Sequence, residues 1–124
     1  MKKLVMTIAA CTLLTPGLAL AKDQTFAGEI MDSQCAKNAS HEMMLKKEGM
    51  GDKDPNDPMV KAMCTKNCVK MGGKYVLLNA AKKATYELDD QQKPEQFAGQ
   101  KVNVKGTYDK GTKTIHVTSM EAAS

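Results

Sequence analysis

The chain has 124 residues, of which 42% are hydrophobic and 26% are charged, which suits one domain with a modest core. All 18 basic residues are lysines, and they exceed the 14 acidic residues to give a formal net charge of +4. Arginine dominates the bidentate recognition of phosphates and bases, and the lysines are scattered along the chain, so the composition argues against a nucleic-acid partner.

Residues 1–21 are predicted to be a signal peptide. Lys2 and Lys3 form a positive start, residues 4–20 are largely apolar, and residues 19–21 (ALA) match the small-x-small pattern of a cleavage site. Cleavage there would leave a mature chain that begins at Lys22 or Asp23 and, without the two lysines, carries a formal charge of +2. The predicted location is therefore the periplasm or the extracellular medium.

A lipoprotein is the competing interpretation of the same segment, because residues 8–11 (IAAC) resemble a lipobox that ends at Cys11. Too little apolar sequence precedes Cys11, and the weakly polar run continues after it, so soluble export is favoured. Pro16 and Gly17 interrupt the run, and polar sequence starts at Lys22, so no stable membrane span is expected after processing.

The first half of the mature chain is predicted to be one strand followed by a helical insert. Residues 25–31 (TFAGEIM) alternate as a strand, and a methionine-rich insert covers about 36–72. Its first helix, 41–48, is expected to be capped by Ser40, and its second helix, from Pro58 to about Met71, by Asp57. Apolar residues at 60, 63, 64, 68 and 71 predict one buried face of that second helix.

The second half is predicted to be β. Strands are expected at 75–78 and 84–88, then a helical turn or tight loop at KPEQFAG, then two strands joined by a hairpin turn at 109–112. The alternation in the last two strands predicts that their apolar positions are buried, at Val102, Val104, Ile115 and Val117. This order of elements predicts a mainly β fold, a small five-stranded OB-like barrel with a helical insert between strands 1 and 2, as a single domain over 22–124.

Three cysteines remain after export, Cys35, Cys64 and Cys68. Cys64 and Cys68 are four residues apart, so a helix places them side by side with nearly parallel side chains, a poor geometry for a disulfide between them. The insert is expected to bring Cys35 and His41 towards this pair. Three thiolates and one imidazole form a tetrahedral zinc set, whereas thiolate with thioether, with Met63 and Met71 as possible donors, favours Cu(I).

The alternative interpretation is a disulfide between Cys35 and one cysteine of the helix, with one spare thiol. In that case the protein is a stapled binding or structural domain without a metal, and its partner belongs to the periplasm or cell envelope. Core filling is the ordinary use of the methionines. The sequence shows no catalytic constellation, so an enzyme is not expected.

Several stretches of the mature chain form one pattern: GEIMDSQC at 28–35, His41, CTKNCVKMGGKYVLL at 64–78, YELDD at 86–90 and FAGQKVNVKGTYDKGTKTIHVTSME at the end. In these stretches the mature chain resembles an uncharacterised family of short exported bacterial proteins. The pattern combines D-S-x-C, a downstream His, C-x3-C-V-K and G-x-Y-V-L, and it covers nearly all of the mature domain. The resemblance implies an OB-type barrel and export, and it carries no activity.

Overall fold

The computed structural model describes residues 22–123, so the predicted signal peptide lies outside the described residues. The elements in chain order are β1 (Gln24–Asp32), α1 (Ser33–Ala36), α2 (Glu42–Lys47), α3 (Pro58–Lys70), β2 (Tyr75–Asn79), β3 (Ala84–Leu88), a 3-10 turn (Lys93–Phe97), β4 (Lys101–Asp109) and β5 (Thr114–Ala122). Within this part of the chain, no helix has the length and apolar character needed to cross a membrane.

The five strands close into a barrel in the order β1-β2-β3-β5-β4. Neighbouring strands are antiparallel except for the short parallel pairing of β3 with β5. All three helices lie between β1 and β2 along the chain, and the 3-10 turn lies between β3 and β4. The predicted fold, an OB-like barrel with a helical insert after the first strand, is confirmed.

Two hydrophobic clusters stabilise the domain. The barrel interior is filled from all five strands and includes Ile30, Leu77, Val102, Val104 and Ile115, each 0% exposed. The second cluster lies between the insert and the outer side of β1 and β2, where alternate residues such as Met31 and Val76 pack against the helices. Because helices cover β2 on one side and the barrel interior covers it on the other, residues 75–78 are all buried.

The second predicted helix is present with its predicted cap. Asp57 Oδ1 accepts hydrogen bonds from the backbone N–H groups of Met59 and Val60, at 2.9 and 3.2 Å, and Pro58 occupies the first turn. The shorter helix α2 begins one residue later than predicted, and Ser40 Oγ accepts from the backbone N–H of Glu42 at 3.1 Å.

The prediction of which α3 residues are buried is partly wrong. Met63 and Met71 are 39% and 58% exposed, whereas Thr65 is fully buried together with Cys64 and Cys68. The helix is therefore rotated so that its smaller side chains face the barrel. Small residues at this contact allow α3 to pack close to β1, and the longer methionines remain at the edge of the contact.

The prediction that Val117 is buried is also wrong, because it is only half-buried. Between Lys105 and Gly106 the pairing of β4 with β5 shifts register, so Lys105 pairs with Ser119 but Gly106 pairs with Val117, and Thr118 is left as an extra residue. Val117 lies directly before this bulge and packs against the core without being enclosed by it, and the alternation is interrupted after Thr118. The other three predicted positions, Val102, Val104 and Ile115, are fully buried.

Gly99 sets how closely α3 approaches the barrel. Its φ is +75°, and a Cβ added there would lie 2.7 Å from the backbone N of Ala62 and 2.8 Å from the carbonyl carbon of Lys61. The N–H of Gly99 also donates to the carbonyl of Ile30 at 2.8 Å. A side chain at this position would therefore push α3 away from β1.

We expect Gly99→Ala to lower the free energy of unfolding by about 2 kcal/mol or more, because it adds a steric clash to the strain of a positive φ. Gly49→Ala is the matched control, since Gly49 has φ +73° but no atom within 4 Å of an added Cβ. In the control, the free energy of unfolding should fall only by the cost of placing alanine at a positive φ, about 1 kcal/mol. Urea unfolding measures both, and equal losses would contradict the packing role of Gly99.

Candidate metal centre

The reactive side chains of the insert meet where it packs on the end of β1. Cys35, Cys64 and Cys68 belong to one buried cluster, and all three are free thiols. The expected approach of Cys35 to the helix pair is therefore present in the fold. The alternative prediction, a disulfide between Cys35 and one of that pair, does not correspond to the structure, which holds the three sulfurs near one another without a bond between them.

Cys35 is positioned by a capped turn at the end of β1. Asp32 is the last residue of that strand, and its Oδ2 accepts a hydrogen bond of 2.9 Å from the backbone N–H of Cys35. Ser33 then ties this turn to the start of β2, because its N–H donates to the carbonyl of Lys74 at 2.8 Å and its Oγ accepts from the N–H of Lys74 at 3.1 Å. These bonds hold Cys35 against the rigid barrel.

Cys64 and Cys68 are placed one turn apart on α3 and are 4% and 1% exposed. The end of this helix is tightly packed, since the N–H of Gly73 donates to the carbonyl of Cys68 at 3.0 Å and a Cβ at Gly73 would lie 2.9 Å from the same oxygen. Gly72, with φ +108°, makes the turn that allows this contact. The two glycines therefore let the chain return to β2 directly beside Cys68.

The donor atoms fall into two compact groups that share Cys35. Cys35, His41 and Cys64 have their donor atoms within 4.8 Å of one another, and so do Asp32, Cys35 and Cys68. The four predicted ligands are thus divided between two groups, and Asp32 joins them. Ligand sulfurs around a tetrahedral zinc ion lie about 3.8 Å apart, from a Zn–S bond of about 2.3 Å, so a small contraction of either group would suit an ion.

Three polar atoms at this site are buried without a hydrogen-bond partner. They are both ring nitrogens of His41 and Oδ1 of Asp32, and the two residues are 1% and 0% exposed. His41 Nδ1 lies 3.9 Å from Asp32 Oδ1, which is too long for a hydrogen bond. Buried side-chain polar atoms nearly always have partners, so this concentration points to a ligand of the imidazole and the carboxylate.

Two further buried atoms along the described chain lack hydrogen bonds, Oε1 of Glu29 and Oγ1 of Thr65. The oxygen of Glu29 lies 3.0 Å from Lys61 Nζ, so an ion pair offsets its burial although the hydrogen-bond geometry is poor. His41 Nδ1 and Asp32 Oδ1 approach each other at 3.9 Å, and this contact is an ion pair only when the imidazole is protonated.

Burial keeps the thiols and the imidazole uncharged when the site holds no cation. It raises the pKa of Cys68 to about 12 and raises the pKa of Cys35 and Cys64, and the nearby carboxylate of Asp32 adds to each increase. Burial also lowers the pKa of His41, against the opposing effect of Asp32. At neutral pH the thiols are protonated and the imidazole is uncharged, which leaves no organic cation beside Asp32 within the cluster.

The structure treats the two possible thioether ligands differently. Met63 is 39% exposed on α3, whereas Met71, although 58% exposed, lines a cavity together with Cys64 and Cys68. Sequence reasoning missed Asp32 as a member of the site. The D-S-x-C pattern contained the signal, because an aspartate three residues before a cysteine is typical of a capped helical turn that places the two side chains together.

The fold and the cluster define a small five-stranded barrel whose helical insert encloses a buried group of thiols with an imidazole and a carboxylate. Residues 68–123 match the model of a family described as a protein of unknown function, DUF5818. The matched segment covers β2 to β5 and begins at Cys68, so Asp32, Cys35, His41 and Cys64 lie before it. The match is consistent with the expected resemblance to an uncharacterised family. Curated proteins gave no match, and neither did solved structures.

Proposed function

We propose that this protein is an exported metal-binding module that holds a soft metal ion, Cu(I) or Zn(II), between its helical insert and its barrel. The observation that carries the proposal is the buried cluster of three free thiols beside an imidazole and a carboxylate that lack hydrogen-bond partners. Cysteine thiolates and imidazole are the donors that Zn(II) and Cu(I) prefer. Storage, delivery or resistance are the roles that such a module serves.

Asp32 supports a bound cation. Its carboxylate is 0% exposed, and its Oδ2 accepts a hydrogen bond from the N–H of Cys35 while its Oδ1 has no hydrogen-bond partner. A buried carboxylate is stable when it is paired with a cation or lies at a metal. His41 does not supply that charge at neutral pH, because its burial lowers the pKa of the imidazole. A metal ion would supply it, with Asp32 orienting His41 or binding the ion itself.

The elevated thiol pKa values agree with this role. A bound cation stabilises thiolates, so each coordinating thiol would lose its proton when the ion binds. The predicted export gives a second argument for a bound metal. In an oxidising compartment, thiols this close together form disulfides unless something protects them, and a metal would keep all three reduced.

Thiol counting and metal analysis on the same purified sample test the proposal. The protein is loaded with Zn(II) or Cu(I) under reducing conditions, desalted, and then labelled with an alkylating reagent in the native state with and without a chelator. Peptide mass spectrometry then measures the extent of labelling at each cysteine. We expect one retained ion per chain, with labelling of Cys35, Cys64 and Cys68 slow until the chelator removes the ion. A desalted protein that retains neither ion would refute the proposal, and so would an exported protein with Cys35 in a disulfide.

A further inference from the structure

The buried thiols of α3 form part of the wall of a cavity of about 250 Å³ between α2 and α3. Three of the residues that line it are methionines: Met44 from α2, Met50 from the loop after it, and Met71 at the end of α3. The same cavity is lined by Cys64 and Cys68. Five sulfur-bearing side chains therefore surround one small space at the edge of the metal centre.

The exposure of these side chains decreases from solvent towards the thiols. Met71 is 58% exposed, Met44 and Met50 are half-buried, and Cys64 and Cys68 are 4% and 1% exposed. Because the cysteines are buried, an ion needs a path from the protein surface to reach them. This cavity is lined both by sulfurs near the surface and by the sulfurs of the buried cysteines. Met71 does not fill the core, because more than half of its side chain is in solvent.

We infer that this cavity is the access route through which the ion is transferred to the thiols, and that the ion is Cu(I). The inference rests on the proposed function and specifies its ion and the route by which that ion enters. Thioethers are neutral, soft ligands that bind Cu(I), whereas Zn(II) prefers thiolate, imidazole and carboxylate. Glu48 and Lys70 line the same cavity with opposite charges, so its selectivity comes from the sulfurs rather than from net charge.

Transfer proceeds by ligand exchange. Cu(I) leaves the ligand that carries it, binds the methionine thioethers of the cavity, and then binds the cysteines. Each cysteine that coordinates the ion loses one proton to the solvent, and the copper stays Cu(I) throughout. No oxidant or reductant takes part, and Ag(I), which does not change its oxidation state, should follow the same route.

The test is a triple variant of the full chain, Met44→Leu, Met50→Leu and Met71→Leu. Leucine keeps the size and apolar character of methionine and removes the sulfur, so the fold is retained. The matched control replaces Met43 and Met59, which are 66% and 82% exposed and lie outside the cavity, by leucine. Cu(I) is supplied as a coloured chelate whose loss of absorbance gives the transfer rate by stopped flow.

We expect the triple variant to accept Cu(I) about tenfold more slowly than the control. A rate reduced tenfold corresponds to a transfer barrier that is higher by about 1.4 kcal/mol. Its final Cu(I) stoichiometry and its rate of Zn(II) uptake should match the control. Equal Cu(I) transfer rates in the two variants would overturn the access route while leaving metal binding intact. A wild-type protein that takes up Zn(II) but not Cu(I) would also overturn this inference alone, whereas one that binds neither ion would overturn the proposed function as well.

Discussion

Cys35→Ser is expected to abolish stoichiometric retention of Cu(I) or Zn(II), because Cys35 is the residue common to both groups of donor atoms. A serine hydroxyl stays protonated at neutral pH and is a poor ligand for soft ions, so neither group keeps a complete set of donors. The change removes one sulfur at a site held by Asp32 and the start of β2, and the barrel itself should remain folded. Metal analysis after desalting, together with circular dichroism, measures the two effects separately.

The other ligand variants should differ in their effect on metal retention. Cys68→Ser should also abolish retention, since only two of the three thiolates would remain for the ion, and His41→Ala should weaken retention without abolishing it. His116→Ala is the matched control for His41, because the second histidine of the chain is exposed on β5 and lies far along the sequence from the insert.

Cys35→Ala tests the same loss of the Cys35 sulfur as Cys35→Ser without burying a hydroxyl. Full retention of the ion by both folded Cys35 variants would contradict the shared-ligand role.

Val104→Lys is expected to unfold the domain or to reduce its stability severely. Val104 is 0% exposed in the barrel interior, and β4 places it between Phe26 on β1 and Met120 on β5. A lysine there would bury an unpaired ammonium, which costs about 3–5 kcal/mol against a typical domain stability of about 5–15 kcal/mol. The midpoint of urea unfolding, followed by circular dichroism, measures the loss.

Thr118→Lys is the control for this variant. It adds the same charge on β5, at an exposed position that the bulge leaves without a partner, and should change stability little. If Val104→Lys unfolds at the same urea concentration as the wild type, the assignment of β4 to the barrel core is wrong.

The site could be predicted only in outline. The four-residue spacing of Cys64 and Cys68 in a segment with helical character predicted that they share one face, and both are buried in α3. The position of Cys35 directly after the first strand predicted its approach to that pair. Asp32 was missed although the D-S-x-C pattern indicates a capped turn, because its burial beside the thiols depends on how the insert packs on the barrel.

By itself, the sequence determined the five strands, the two longer helices and their order, whereas the short helix α1 was not predicted. Alternation at Val102 and Val104 marked a half-buried strand, Asp57 followed by Pro58 marked the start of a helix, and a glycine pair marked its end. These are local effects, since a strand's alternation and a helix's caps depend on residues within a few positions. Five strands with an insert after the first then permit few topologies, and the barrel is one of them.

The tertiary structure alone decided which surfaces face each other. Met63 and Met71 lie outside the core and Thr65 lies inside it because of the way α3 packs on β1, a contact for which Gly99, distant in sequence, leaves room. Val117 is half-exposed at the position next to the bulge, where β5 has an extra residue opposite β4. The division of the donors into two groups around Cys35 likewise depends on how α1 and α3 pack on β1. Each of these three features depends on contacts between segments that are far apart in the chain. Local sequence patterns cannot predict such contacts, because they depend only on neighbouring residues.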